Sequence, residues 1–482
     1  MNHSDAPKRP DRVPLSFAWL GIVIAALAGC TPKPTTIPVD QSATESVRAE
    51  PTITLRDAVV ELAPSSATDA EHDLQPAAVD PIAQPTRQQQ LQRAVELQQV
   101  AAKSLAANQI DDAYRSIRQA RALDDQNLNG IFLYARILGA RKRFPEAIRM
   151  LDRLAKSDPT VRLPALGQTA QWMVNAGDWQ HAEQRYRSLL EVAPNAAIVH
   201  NELAALLMRQ GRRFEAQPHL NALCRQGDID ERWLRSLLCI ATAFPADARA
   251  PQLEPIGRLG QARFYLSQDQ PHQATEVLNG PTLDRIDFPR QEQALLARIA
   301  AVTDQDDTNR DGSADSANPD AWLARGIFLA AHQHHESAVR CFCEAVLQDS
   351  TDATAYQRLA DSLSALGQTE NAARAIRRSE QIRRTQSIGS QLADSPAPDE
   401  KLVDELAVLL DQLNRPVEAI AWRAVNLAYN HASRPDVDLR QKMSQLNQQR
   451  LNLLNTASPA SDHSFVVCGV DLDTLRDKLD SQ

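Results

Sequence analysis

One acidic stretch holds the ligand types that a hard cation prefers. Asp307, Asn309 and Asp311 alternate along it, Gly312 follows where a sharp turn would fall, and Asp315 comes soon after. Oxygens at alternate positions suit calcium, which takes about six to eight oxygen ligands. The closing bidentate glutamate of such a loop is absent, because Asn318 stands in its place. The plainer reading is a solvated loop of Asp, Asn, Gly and Ser. A second cluster, His332, His334 and His335, crowds one turn and could hold zinc or copper if other ligands converged on it. No further ligand is evident, and His335-Glu336 fails the H-E-x-x-H pattern at Val339. Cys341 and Cys343 are two apart on an expected helix, so they point to different sides. No G-x-S-x-G, G-x-x-x-x-G-K-[ST] or G-x-G-x-x-G occurs. These absences argue against an enzyme, and no cofactor is expected.

The histidines and cysteines lie inside a stretch, 319–352, whose apolar spacing explains more than its chemistry does. Trp322, Gly326 and Leu329 share one face of a first helix, and Ala338, Phe342 and Ala345 share one face of a second. Small residues (Gly326, Ala338) fall where two helices must approach, with large ones (Trp322, Phe342) beside them. Neither helix can bury its stripe alone, so the unit needs copies on both sides. This order of aromatic and small residues over 34 residues resembles a tetratricopeptide repeat. The resemblance implies an all-α protein, an α-solenoid of stacked antiparallel helix pairs forming a superhelix.

Alanines at equivalent places form a ladder: Ala113, Ala147, Ala182, Ala216, Ala274, Ala338, Ala372 and Ala419, spaced 34, 35, 34, 58, 64, 34 and 47 residues apart. Phe144 and Leu151 flank Ala147, Trp179 and Tyr186 flank Ala182, Leu220 follows Ala216, and Ile376 follows Ala372. The best-defined pair of repeats spans 319–386, with Tyr356, Leu359 and Ala372 as packing residues. A first array occupies 88–303, with a degenerate insert near 227–254 in which Arg232–Phe244 reads as helical. The acidic loop follows at 304–318, and a polar break at 385–399 separates a last repeat and capping helix at 400–456. A tail, 457–482, contains Phe465-Val466-Val467, which reads as a short strand.

The N-terminus carries an export signal. Lys8, Arg9 and Arg12 precede an apolar run from Leu15 to Ala28 that ends Leu27-Ala28-Gly29-Cys30. The run is short for a bilayer span. Its end resembles the lipobox of bacterial lipoproteins, which implies removal of the signal peptide 1–29 and acylation of Cys30. Thr31 in place of Asp then implies the outer membrane, facing the periplasm. Residues 30–87, rich in Pro, Thr, Ser and Ala, are expected to be a disordered tether. Without residues 1–29 the formal charge changes from −9 to 49 minus 59, or −10. That balance gives no general attraction to nucleic acid. Cys224, Cys239, Cys341, Cys343 and Cys468 remain besides Cys30, an odd number that suggests no disulfide framework, although Cys224 and Cys239 could pair if neighbouring helices bring them together.

The functional expectation is a protein-protein interaction scaffold of the cell envelope, anchored by lipid on Cys30 and holding an unidentified protein partner. The alternative is a non-catalytic structural subunit of a larger envelope or enzyme complex. The first helices of such repeats line a concave groove, which places Asn201, Ala205, Leu323, Ile327, Gln357 and Asp361 as lining residues. Some members of the family clamp a C-terminal carboxylate with Lys and Asn on these helices; the residues here do not reproduce that clamp.

Overall fold

In a computed structural model, the described residues are 86–284, 286–303, 318–395, 399–430, 438–456 and 463–480. The signal, Cys30, the tether up to 85 and the acidic ligands Asp307, Asn309, Asp311 and Asp315 lie outside them. The described residues contain helices and no strand. They fall in two compact units, 1–150 and 151–482.

In the first unit, α1 (Arg87–Ala106), α2 (Ile110–Leu123) and α3 (Leu128–Ala140) pack in sequence; α4 (Phe144–Ser157) is next in the chain. Thr86 caps α1 by accepting from the Gln89 amide, while the Gln89 side chain accepts from the Thr86 amide, a reciprocal capping box. Ala101, Ala113, Ile117, Ala120 and Ile137 form its core.

The second unit begins with the pairs α5 (Arg162–Asn175) and α6 (Trp179–Val192), then α7 (Ala197–Arg209) and α8 (Arg213–Gln226). A short α9 (Glu231–Leu238) and the four-residue α10 (Pro245–Ala248) follow. Next come α11 (Gly257–Ser267), α12 (Pro271–Asn279) and α13 (Pro289–Val302). The pairs α14 (Pro319–Ala331) with α15 (His335–Gln348), and α16 (Ala353–Ala365) with α17 (Thr369–Asp394), come after it. Last come α18 (Glu400–Gln412), α19 (Pro416–Asn430), α20 (Leu439–Thr456), α21 (His463–Val466) and α22 (Leu472–Asp480).

The alanine ladder has a backbone counterpart. Asn108, Lys142, Gly177, Gly211, Asp269, Gln333, Gly367 and Asn414 all have left-handed backbone, and each stands five residues before one rung of the ladder. Each ends the first helix of a pair, where a left-handed residue satisfies the last carbonyls and reverses the chain. At Gln333, for example, its amide reaches Ala330 O and the His334 amide reaches Leu329 O at 2.9 Å. All eight alanines are buried, because there the second helix first meets the one it has just turned from. The fold is therefore the α-solenoid class, stacked antiparallel helix pairs, with eight such turns among the described residues.

The interval 58 exceeds 34 by 24, and 64 exceeds it by 30. The first excess holds α9 and α10; the second holds α13. Contrary to the expectation for 232–244, helix stops at Leu238, and 239–244 is irregular backbone in which Ile240, Ala241 and Phe244 are buried. The expected break at 385–399 is helical as far as Asp394, with Thr385, Ile388 and Leu392 buried. Gly389 explains the contact made there: a Cβ would come within 2.6 Å of the Phe244 ring and 2.9 Å of Leu238. Ile376, expected to pack like Phe342, is exposed instead, because α17 turns Ala375 and Ser379 inward.

The tail also departs from expectation. Phe465-Val466-Val467 is a helical turn rather than a strand, and Val467, Cys468 and Leu472 join the core of α14 to α17. Arg476 pairs with Glu344 of α15 at 2.7 Å. The α20 helix packs on α19, but buries none of its side chains fully.

Candidate partner-binding surface

Gly326 faces the Phe342 ring so closely that a Cβ would lie 2.5 Å from it. Ala338, Phe342, Tyr356, Leu359 and Ala372 are buried in one cluster, with Trp322 half-buried at its edge. The histidines beside them stand in different surroundings. His332 hydrogen-bonds Phe328 O at 2.8 Å, His334 is exposed, and His335 is half-buried. Among the described residues no three His, Cys, Asp or Glu side chains gather as metal ligands. Asn318, in the place of a calcium-loop glutamate, caps α14 by accepting from the Asp320 amide at 2.9 Å.

The groove candidates do not form one surface. Leu323 is fully buried in the core cluster, because the α14 stripe rotates it inward beside Ala324, and Ile327 is half-buried against the same cluster. The Gln357 amide donates to Asp361 Oδ1 at 3.2 Å, and Asp361 is exposed. Asn201 is already engaged: its Oδ1 accepts from Trp233 Nε1 at 2.7 Å, and the Trp233 ring is buried. The chain's own α9 thus takes up the α7 face where a ligand was expected.

Around that insert lies a buried polar network that periodicity did not reveal. Irregular backbone at 239–244 needs acceptors and donors from elsewhere. Arg213 of α8 donates to Cys239 O, Ile240 O and Thr242 O, and Arg263 of α11 donates to Ala241 O at 3.0 Å. The Ile240 amide donates to Thr351 Oγ1 at 3.0 Å, and Gln386 of α17 donates to Thr351 O at 2.8 Å. Arg415 donates to Leu237 O at 2.7 Å, and Tyr429 donates to Glu231 Oε2 at 2.9 Å. In a simple solenoid each repeat meets only its neighbours; here α9 meets α17 and α19, more than a hundred residues later.

Charge balance within the network is local. Asp320 is fully buried, and its carboxylate accepts from Arg263 and, at 3.0 Å, from Arg298. Arg298 also pairs with Asp352 at 2.7 Å. Burial works against the Arg298 charge, but Asp352, Asp320 and Asp349 together raise its pKa. Burial, and then the neighbouring Asp352, push Asp349 up to about 6. Burial lowers Arg213 to about 10 and raises the Cys239 thiol to about 11. Cys224 and Cys239 are unbridged, and Cys341 and Cys343 are buried thiols. A sequence signal for the network did exist: Arg263 and Arg298 each sit among apolar neighbours, in Ala262-Arg263-Phe264 and Ala297-Arg298-Ile299.

Comparison with known proteins bears on the repeats. Residues 104–166, which contain the turns at Asn108 and Lys142, match the tetratricopeptide repeat family model. The match covers 63 of the 482 residues. Among solved structures it is similar to the TPR2AB-domain:pHSP90 complex of yeast Sti1, at 14% identity and a TM-score of 0.28, over 68% of this chain and 98% of that one. It is also similar to a tetratricopeptide repeat protein from Parabacteroides merdae, at 12% identity and a TM-score of 0.26, over 56% and 99%. A third is the APC/C hetero-tetramer Cut9-Hcn1, at 14% identity and a TM-score of 0.25, over 80% and 90%. No curated protein matches the chain.

Proposed function

We propose that this protein is an interaction scaffold of a bacterial cell envelope, held to the outer membrane by lipid on Cys30 and recruiting a protein partner through its helix pairs. The observation that carries the reading is the eightfold repetition of a pair whose interior positions are spent on packing. Outward side chains are then free to differ between copies, which is how repeat proteins acquire specificity. Gln357 and the exposed Asp361 are the groove candidates left open to a partner. The test is crosslinking of the tagged full chain in its own cells, followed by identification of what co-purifies. Gln357→Arg with Asp361→Lys should remove that partner; retention would place the interface elsewhere. Cys30→Ser should release the chain from the membrane fraction, and unchanged retention would defeat the anchor.

A second reading, a permanent structural subunit of a larger complex, draws on α1. Leu91 and Val95 are four apart on one face of that helix and both exposed. A chain that stays soluble and monodisperse when purified alone would count against it.

A further inference from the structure

Arginines converge where the tail meets α17. Arg374, Arg377 and Arg378 lie three and four apart, and with Gln381, Ser464 and Phe465 they line a pocket of about 410 Å³. Arg378 is only 7% exposed. Its guanidinium donates to Phe465 O at 3.1 Å and Leu413 O at 3.2 Å and lies over the Phe465 ring, 4.2 Å from its centroid. The buried Nε has no partner. Arginine carries five N–H groups; two carbonyls use part of that capacity, and no carboxylate pairs with Arg378 among the described residues. A buried cation served only by neutral acceptors leaves much of its desolvation cost uncompensated. Arg374 has Glu370, whose side chain is 80% exposed, and Arg377 has no ion pair among the described residues. The tail backbone admits Arg374 because position 469 is glycine: its φ is +82°, and a Cβ there would lie 2.5 Å from the Arg374 guanidinium.

Three guanidinium groups less one carboxylate leave a net charge of +2 in the pocket. A phosphate monoester carries about −1.5 to −2 near neutral pH and matches this, whereas a carboxylate leaves a cation unpaired. Arginine forks also fit phosphate oxygens two at a time. The pocket exceeds the size of a phosphate group alone, and the half-open Phe465 ring offers an apolar wall for what the phosphate is attached to. We propose that this pocket binds a phosphate monoester, either a soluble metabolite or a lipid headgroup, between α17 and the C-terminal tail. Arg374 and Arg377 hold the anion at the mouth, and Arg378 supplies the buried charge behind them. This assignment does not depend on the scaffold reading.

Calorimetric titration of the full chain with phenyl phosphate tests it, with benzoate as the monoanionic control and dihexanoyl phosphatidic acid as a soluble lipid form. Phenyl phosphate should bind one to one, and at least about tenfold more tightly than benzoate. Arg374→Ala with Arg377→Ala should weaken binding by roughly 100-fold, since each lost charge-assisted contact removes about tenfold or more. Both arginines are exposed, so the melting temperature should stay unchanged and separate lost binding from lost folding. Phosphatidic acid binding more than about tenfold tighter than phenyl phosphate identifies a lipid headgroup; equal or weaker binding identifies a soluble ligand. The proposal is overturned if no heat appears with phenyl phosphate at about 10 mM, if benzoate binds equally, or if the double variant binds as well as the parent.

Discussion

Replacing Asp320 by Asn keeps the shape of the buried network and removes one charge. Arg263 would then have no charged partner, keeping the neutral Ala241 O at 3.0 Å and the Phe214 ring, while Arg298 would keep Asp352 at 2.7 Å. At about 3 Å and an effective dielectric of about 20, one pair is worth roughly 5 kcal/mol of attraction. Desolvation of both groups offsets part of that, and breaking a buried pair from one side typically costs about 3–5 kcal/mol. The expected loss is in that range, a large share of the roughly 5–15 kcal/mol that holds a folded domain together. Asp411→Asn is the comparison, because the Arg423–Asp411 pair is partly exposed and should be worth about 0.2–1 kcal/mol. The assay is urea unfolding of the full chain followed by tryptophan fluorescence. Trp172, Trp179, Trp233, Trp322 and Trp422 all lie in the second unit, as does the network. Adding Arg263→Met to Asp320→Asn should recover part of the loss, since the stranded cation is gone. If Asp320→Asn costs no more than Asp411→Asn, or the double variant is worse than the single, the charges do not hold the inserts.

Three further outcomes follow from named contacts. Gly326→Ala puts a Cβ 2.5 Å from the Phe342 ring and should cost about 1–3 kcal/mol, read as a lower thermal midpoint; an unchanged midpoint would mean the pair separates freely. Asp349 ionises near 6 when folded against 3.8 as its ordinary value, so stability falls as pH rises from about 4 to 6 and the cost persists above that. Asp349→Asn keeps the acceptor for Thr351 and should stabilise by on the order of 2 kcal/mol at pH 7.5, with no gain below pH 4; equal gains at both pH values would refute the assignment. His219 is lowered to about 4 by burial and then by His200, whose Nδ1 lies 2.9 Å from its own. His200 Nε2 faces Pro194 O and must carry the hydrogen, so His219 Nδ1 is the donor within the pair. Stability should therefore fall as pH drops from about 6.5 towards 4, by roughly 1 kcal/mol for a half-exposed ring, and His219→Gln should flatten that change in denaturant titrations.

The repeats were legible because their determinants are local. A left-handed turn, a buried alanine five residues on and an aromatic beside it all fall within one pair, and spacing records them even when Lys142 or Gln333 replaces glycine at the turn. The groove was legible only as positions on a helix. Helical spacing places Leu323 and Asn201 on a free face, but rotation of α14 buries one and Trp233 of α9 takes the other. No periodicity in 197–209 could announce a tryptophan from a different segment.

The inserts show why that limit is physical. Excess lengths of 24 and 30 residues mark where the ladder breaks, but not what fills the break. In the first break α9 runs into irregular backbone at 239–244, whose amides and carbonyls must find partners wherever the chain passes. Those partners are single side chains: Arg213, Arg263, Thr351, Gln386 and Arg415, drawn from five helices or helix ends. Each looks like an ordinary polar residue in its own segment, and only their convergence gives them a role. Arg374, Arg377 and Arg378 were half visible in this sense. Their three-and-four spacing puts them on one face of α17, but the glycine and the aromatic that turn that face into a pocket come from a tail some ninety residues away. The repeat supplies a rigid surface from local rules, and the segments that break the repeat fold back onto that surface. Sites particular to this chain should therefore be sought where insert and tail meet the ladder.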